Sequence, residues 1–166
     1  MTFINWKRWL LKGLLIFAIF LAVSSWNERN LIPEKEPAPS FTLNTIDGSN
    51  ISLKNLQGQR VLIYFFAPWC KFCDLSISNL NLVKKIRGKT SISILAVALS
   101  YKDKKSLNFF LKRNPLDVPV LLGSSKVLDD YSINAFPTIY TIDKLGKIES
   151  TSVGYATTLG LLWKSF

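Results

Sequence analysis

An unbroken apolar run, Val61–Phe66, predicts a fully buried β-strand. It leads through Pro68 to Cys70 and Cys73, which are the two cysteines of the chain. If the residues from Lys71 onward are helical, Cys70 lies at the helix N-terminus and Cys73 lies one turn later on the same face. The two sulfur atoms can then bond, and the helix dipole favours a thiolate on Cys70. This pattern predicts a dithiol that is reversibly oxidised to a disulfide.

The pattern along the rest of the chain predicts an α/β domain. Residues 41–43 and 51–53 alternate around an Asp-Gly turn, which is typical of a β-hairpin. The strand before the cysteines, a helix that ends at Gly88 and a strand over 92–99 imply a parallel crossover, with the cysteines at one edge of the sheet. The pattern further predicts helices over 103–113, 126–131 and 157–166 and strands over 118–122, 139–142 and 147–153.

The N-terminal segment is basic and then apolar. An apolar stretch over 13–23 follows several basic residues, and Trp9 and Trp26 flank the segment. We therefore predict a signal-anchor transmembrane segment over residues 1–26, with the N-terminus inside and the domain outside. Small residues at 22–24 also fit a signal-peptidase site, so cleavage stays open. Either outcome exports the domain to a compartment where disulfides persist.

Two further segments follow the predicted anchor. Residues 27–38 are polar and contain Pro33 and Pro37, which predicts an extended linker. Residues 39–166 are left for one ordinary folded domain. The formal net charge is +10, but lysine and arginine are spread along the chain. We interpret this charge as a solvated basic surface and predict no nucleic-acid partner.

The composition excludes several kinds of site, because the chain contains no histidine. Two cysteines without histidine cannot form a tetrahedral zinc site within one chain. Asp74 follows Cys73, so the haem-attachment motif C-x-x-C-H is excluded too. Ser-His and Cys-His hydrolase chemistry has no base. The cysteines are left with redox chemistry, with a soft two-coordinate metal such as Cu(I), or with no chemistry.

The residues from Phe65 to Cys73, Phe-Phe-Ala-Pro-Trp-Cys-Lys-Phe-Cys, resemble the active-site motif of the thioredoxin superfamily. Residues 136–138, Phe-Pro-Thr, match the cis-proline loop of that family. The resemblance covers residues 39–166. The predicted hairpin, linker and N-terminal segment narrow it to the TlpA-like disulfide oxidoreductases, in particular the membrane-tethered group associated with suppression of copper sensitivity. It implies an α/β thioredoxin fold with an added N-terminal β-hairpin, preceded by a single transmembrane helix.

The resemblance also implies a mechanism, in which Cys70 and Cys73 are catalytic and form a redox-active disulfide. Cys70 attacks a disulfide of a partner protein, and Cys73 resolves the mixed disulfide. Pro137 in the cis form exposes the backbone of Phe136 for pairing with the partner chain. The resemblance implies neither a metal nor a cofactor. The residues expected to shape the substrate-binding surface are Trp69, Lys71, Phe72, Phe136, Pro137 and Thr138.

Several positions depart from the family pattern. Lys71 and Phe72 lie between the cysteines, where reducing members commonly have a proline before the second one. Tyr64 stands in place of a buried acidic residue, and Ser76 and Ser78 stand in place of a glutamate and a proline. Both directions of electron flow therefore stay open, and the resemblance alone favours a reductase.

The expected setting is a bacterial inner membrane, crossed once, with the domain facing the periplasm. The expected partners are protein thiols and disulfides and a membrane electron donor or acceptor, and we expect a monomer. The alternative is a non-enzymatic tethered module that binds Cu(I) through the two thiolates or senses redox state. Against copper binding, Met1 is the single methionine, so no methionine- or histidine-rich patch supports such a site.

Overall fold

The computed structural model describes residues 3–28, 31–88 and 92–165. The strands are β1 (Thr42–Asn44), β2 (Asn50–Ser52), β3 (Val61–Phe66), β4 (Ser93–Ala98), β5 (Val120–Leu122), β6 (Thr138–Ile142) and β7 (Ile148–Val153). The helices are α1 (Phe3–Glu28), α2 (Lys71–Ser76), α3 (Asn79–Arg87), α4 (Lys104–Arg113), α5 (Ser125–Asp130) and α6 (Thr158–Lys164). Strands β1 and β2 form the predicted antiparallel hairpin. The other five form one sheet in the order β5-β4-β3-β6-β7.

The apolar run of β3 is the central strand of this mixed sheet. All six of its side chains are buried, as the unbroken pattern predicts. It pairs in parallel with β4, which confirms the predicted crossover, and antiparallel with β6. The turn that carries Cys70 therefore follows directly from the middle strand of the sheet.

One face of the sheet carries the two cysteines. Tyr64 and Phe66 join Cys70 and Cys73 in an apolar cluster, which we call the cysteine face. Helix α4 contributes Phe110, whose ring stacks on Phe66 with centroids 5.2 Å apart. Burial of these aromatic side chains holds the cysteine-bearing helix against the sheet.

The opposite face is rich in tyrosine. Phe65 packs with Tyr131 and Tyr140 in a second cluster, which we call the tyrosine face. The Tyr131 hydroxyl donates to the Pro39 carbonyl at 2.7 Å, and the Ile32 N–H donates to the Tyr140 hydroxyl at 3.2 Å. Burial raises the pKa of Tyr140 to about 12 and raises that of Tyr131 as well. These phenols are therefore neutral, and their hydrogen bonds fasten residues 32–39 to the sheet.

Residues 35–46 also run along the outer strands of the sheet. In the second half of the predicted linker, the Lys35 N–H donates to the Ile148 carbonyl, and the Ile148 N–H donates to the Glu36 carbonyl. Beyond β1, the Ile46 N–H donates to the Val120 carbonyl at 2.9 Å. Residues on both sides of β1 are thus bonded to opposite edges of the sheet.

The helix after the cysteines differs from its prediction, because it is broken between α2 and α3. The Ser76 hydroxyl donates to the Phe72 carbonyl at 2.7 Å, a back-bond that bends helices. Ile77 and Ser78, which follow, are weaker helix formers than leucine or lysine. Gly88 ends α3 with a φ of 71°, as predicted, because glycine adopts this left-handed backbone without strain.

The N-terminal segment is helical, but its predicted transmembrane role is not supported. In the parts of the chain that the structure describes, no helix is long and apolar enough to cross a membrane. Lys12 interrupts the apolar pattern, and the stretch over 13–23 rises only about 16 Å along a helix. A bilayer core is about 30 Å thick. The prediction for residues 1–26 is therefore corrected to a helix, Phe3–Glu28, without an assigned membrane span.

Candidate active site

The sharp turn after β3 places Cys70 at the start of α2. The Cys70 N–H donates to the Ala67 carbonyl at 3.0 Å, which closes the turn. Cys70 is the N-cap residue of α2, and its sulfur accepts the Cys73 N–H at 3.1 Å. A hydrogen bond to this sulfur and the positive end of the helix both favour a thiolate there.

The two cysteines form a disulfide within one helical turn. Their Cα atoms are 5.2 Å apart, which is a usual separation for a disulfide. Cys70 keeps 6% of its surface exposed, whereas Cys73 is fully buried in the cysteine face. A partner sulfur approaching from solvent therefore meets Cys70 first.

Trp69 lies beside the disulfide on the protein surface, with 67% of its surface exposed. Its indole N–H donates to the Ser100 carbonyl at 2.9 Å. Its ring meets the Phe136 ring edge to face, with centroids 5.6 Å apart. Two residues that are far apart in sequence are thus joined into one aromatic wall.

The loop before β6 brings the second predicted motif to the site. The peptide bond between Phe136 and Pro137 is cis, as the resemblance implies. Thr138 pairs with Phe65 near the end of β3, so this loop lies next to the chain that leads to Cys70. The Thr138 hydroxyl donates to the Ala135 carbonyl at 2.7 Å, and the Gly154 N–H donates to the Pro137 carbonyl at 2.9 Å.

The other predicted site residues lie on the exposed side of α2. The side chains of Lys71 and Phe72 are exposed, and Leu75 extends this surface by one turn. The predicted site residues therefore lie on α2, on the turn before it, on the cis-proline loop and, for Thr138, at the start of β6.

Sequence reasoning missed a polar network beside α2. Asp74 Oδ1 accepts hydrogen bonds from Arg113 Nη2 at 3.1 Å and from Asn114 Nδ2 at 2.6 Å. Asn114 is buried and also donates to the Phe110 carbonyl. The network joins α2 to the end of α4 across about forty residues of sequence, and no local pattern signals such a pairing.

A second polar pair lies inside the cysteine face. The Tyr64 hydroxyl and the Ser76 hydroxyl are 2.8 Å apart, and Ser76 gives its proton to the Phe72 carbonyl, so Tyr64 donates to Ser76. Burial raises the pKa of Tyr64, although the hydrogen bond to Ser76 opposes this rise. The pair is therefore neutral where the family pattern has an acidic residue.

Metal sites in proteins need several ligand side chains grouped around one point. Across residues 3–28, 31–88 and 92–165, no group of three or more His, Cys, Asp or Glu side chains is arranged to hold a metal ion. The sulfur atoms that this site offers are those of Cys70 and Cys73, which are joined in the disulfide.

Known proteins are similar to this chain in sequence and in fold. The family model for the AhpC/TSA family matches residues 35–151. The thioredoxin-like protein YneN of Bacillus subtilis is 30% identical over 159 residues, which are 91% of this chain and 92% of that protein. The thiol-disulfide oxidoreductase ResA of Geobacillus thermodenitrificans is 29% identical over 146 residues, 87% of this chain and 80% of that protein.

A solved structure agrees with these relatives. The pneumococcal exposed lipoprotein thioredoxin of Streptococcus pneumoniae has a TM-score of 0.66 and 27% sequence identity, and the match covers 76% of this chain and 98% of that one. The thioredoxin-like fold implied by the sequence is thereby confirmed. The chain therefore belongs to the AhpC/TSA family, and with its Cys70–Cys73 pair on a thioredoxin-like fold it is a thiol-disulfide oxidoreductase.

Proposed function

We propose that the protein reduces disulfides in partner proteins outside the cytoplasm, with Cys70 as the attacking thiolate and Cys73 as the resolving thiol. The observation that carries this assignment is the difference between the two sulfur atoms. Cys70 is at the surface and its sulfur accepts a backbone N–H at the start of α2, whereas Cys73 is fully buried. The first position suits attack from solvent, and the second suits closure of the ring from within.

The reaction exchanges one disulfide for another. The Cys70 thiolate attacks one sulfur of the partner disulfide, and the other partner sulfur leaves as a thiolate. Cys73 then loses its proton and attacks Cys70, which releases the partner as a dithiol. Two electrons pass to the partner, its two sulfurs gain protons, and the enzyme is left with the Cys70–Cys73 disulfide.

The neighbouring residues support this chemistry without entering it. Trp69 and Phe136 form an aromatic wall against which a partner chain packs. The cis bond before Pro137 presents the backbone at Phe136 to an extended partner segment, and Thr138 fixes this loop through the Ala135 carbonyl. The exposed side chains of Lys71 and Phe72 give the surface its charge and apolar area.

The reducing direction is supported by the apolar surroundings of Cys73. Strong oxidants stabilise their reduced, thiolate form. Because Cys73 lies in an apolar cluster, its own thiolate gains little from its surroundings. We therefore expect a midpoint potential closer to about −270 mV, as for thioredoxin, than to about −120 mV, as for strong oxidants.

The location belongs to the same proposal. A similar protein is described as an exposed lipoprotein thioredoxin, which supports a site of action outside the cytoplasm. A membrane electron donor that carries a dithiol would then return two electrons to the Cys70–Cys73 disulfide after each cycle. The narrower assignment to the TlpA-like group stays a prediction.

A trapping experiment tests the roles of the two cysteines. We expect a Cys73→Ser variant, expressed in the native host, to accumulate mixed disulfides with partner proteins. A reducing agent should cleave these mixed disulfides. The matched Cys70→Ser variant has lost the attacking sulfur and should trap none. A variant pair that traps nothing, or a Cys70→Ser variant that traps as much as Cys73→Ser, contradicts the assignment.

The direction has its own test. The purified protein is equilibrated with dithiol–disulfide buffers, and its thiols are counted by alkylation and mass measurement. A midpoint near that of thioredoxin supports the reductase. A midpoint close to that of strong oxidants reverses the direction and leaves the cysteine roles unchanged.

A further inference from the structure

A small cavity adjoins Cys70 on the side of α4. Its volume is about 100 Å³. It is lined by Pro68, Trp69, Cys70, Lys71, Asp74 and Arg113. The attacking residue thus shares one recess with two cationic side chains and one carboxylate, and only a small group of a partner protein fits there.

The carboxylate in this cavity is already engaged by the protein. Asp74 accepts hydrogen bonds from Arg113 and from the buried amide of Asn114. Lys71 is exposed and adds a second cation next to Cys70. The cavity therefore has one positive charge that the described side chains around it do not compensate, and it attracts an anion.

The guanidinium of Arg113 is held in place for such an anion. It is paired with Asp74 on one side and lies over the Phe109 ring, 5.1 Å from its centroid. Half of the Arg113 side chain remains exposed. Since a guanidinium presents several N–H donors in one plane, it can bind a second carboxylate in addition to Asp74.

The cationic surface continues from the cavity along α4. Lys105, Phe109 and Arg113 are spaced four residues apart, so they lie along one face of this helix. All three side chains are exposed. Together they form a stripe about 12 Å long, which is the length of three to four residues of an extended chain.

The exposed surface of α2 adds an apolar part to the site. Besides Lys71, α2 exposes Phe72 and Leu75, which are apolar and uncharged. A partner segment that crosses the disulfide therefore has both apolar and cationic side chains within reach.

We propose that Lys71 and Arg113 form a carboxylate-binding subsite, which favours partner proteins with an acidic residue beside the cysteine that Cys70 attacks. The proposal rests on the proposed function, since it concerns the partner of that reaction. The occupant is the Asp or Glu side chain of an extended polypeptide segment. Lys105 and Phe109 contact the residues that follow it along α4.

The test compares two synthetic peptides with the full-length, reduced protein. Each peptide holds one internal disulfide, and they differ only in having Glu or Gln beside both cysteines. We expect the Glu peptide to be reduced about fivefold faster than the Gln peptide at low ionic strength. Its carboxylate would form partly exposed ion pairs with Lys71 and Arg113, and such pairs are worth a difference of this size. The preference should fall toward equal rates at about 1 M salt.

Three variants with the same loss of charge locate the effect. Arg113→Gln and Lys71→Gln should each move the rate ratio toward one, and circular dichroism checks that both variants are folded. Lys112→Gln is the matched control, because it removes one cation from α4 next to the subsite, but Lys112 does not line the cavity. It should keep the full preference.

The outcomes separate the two proposals. Equal rates for the two peptides with the unmodified protein overturn the subsite, and so does an equal loss of preference in the Lys112→Gln control. If neither peptide is reduced at all, the proposed function itself fails. If the Gln peptide is reduced but the Glu peptide gains nothing, the proposed function stands and the subsite does not.

Discussion

The two faces of the central sheet use their buried polar groups in different ways. On the tyrosine face, the hydroxyls of Tyr131 and Tyr140 bond to backbone groups of the N-terminal segment. On the cysteine face, Tyr64 bonds to Ser76, a side chain of the helix that carries the cysteines. The first arrangement fastens one part of the chain to another, and the second lies next to the chemistry. We expect mutations on the two faces to affect different properties.

The largest effect should come from the packing of the cysteine face. Phe110→Ala removes a fully buried ring that stacks on Phe66, and it should lower the free energy of unfolding by about 3–5 kcal/mol. Denaturant unfolding of the oxidised protein measures this change. Phe109→Ala is the control on the same helix, and since its ring is exposed it should cost less than about 0.5 kcal/mol. Equal losses for the two variants would contradict the assigned packing.

A smaller effect is expected from the buried hydroxyl pair. Ser76→Ala leaves the Tyr64 hydroxyl buried without its acceptor and should cost about 1–3 kcal/mol, whereas Tyr64→Phe should cost about 1 kcal/mol. The double variant should lose less than the sum of the two, because both changes remove the same bond. Unfolding of all four proteins completes the cycle, and strictly additive losses would show that the pair does not interact.

The tyrosine face provides the contrasting variant. Tyr131→Phe removes the donor to the Pro39 carbonyl and should lower the free energy of unfolding by about 1 kcal/mol. Hydrogen exchange should quicken in residues 31–39, while the rate of disulfide exchange stays the same. Tyr155→Phe changes an exposed phenol and serves as the control. A slower disulfide exchange in Tyr131→Phe would remove the proposed separation of the two faces.

The last effect is absent at neutral pH and appears only in alkaline solution. Burial raises the pKa of Tyr140 from 10.0 to about 12, so the folded state favours the neutral phenol. Its contribution to stability is complete below pH 10 and is lost as the pH rises toward 12. Unfolding measured between pH 9 and 12 should show this loss, and Tyr140→Phe should reduce the slope. An unchanged slope would assign the loss to other groups.

The parts of the molecule that the sequence predicted are those with local signals. The apolar run of β3, the N-terminal position of Cys70 on its helix and the turn at Gly88 each depend on a few neighbouring residues. Pro137 was found through the resemblance, because its pairing with the cysteine site joins residues more than sixty positions apart. The structure places Phe136, which precedes it, against Trp69.

Other features depend on contacts that no local pattern contains. The break between α2 and α3 follows from a back-bond of Ser76, which competes with an otherwise helical pattern. The network of Asp74, Arg113 and Asn114 forms only once α4 packs beside α2. The transmembrane prediction gave weight to the flanking tryptophans and too little to Lys12.

The bonds of the N-terminal segment to both outer strands have a consequence for self-association. Exposed strand edges are the places where folded β-proteins pair with copies of themselves and aggregate. Here Lys35 and Glu36 occupy the start of β7, and Ile46 occupies β5 on the far side. A version shortened to begin after residue 46 would lose both coverings at once, so it should be prone to sheet-to-sheet aggregation even though every residue of the disulfide site is still present.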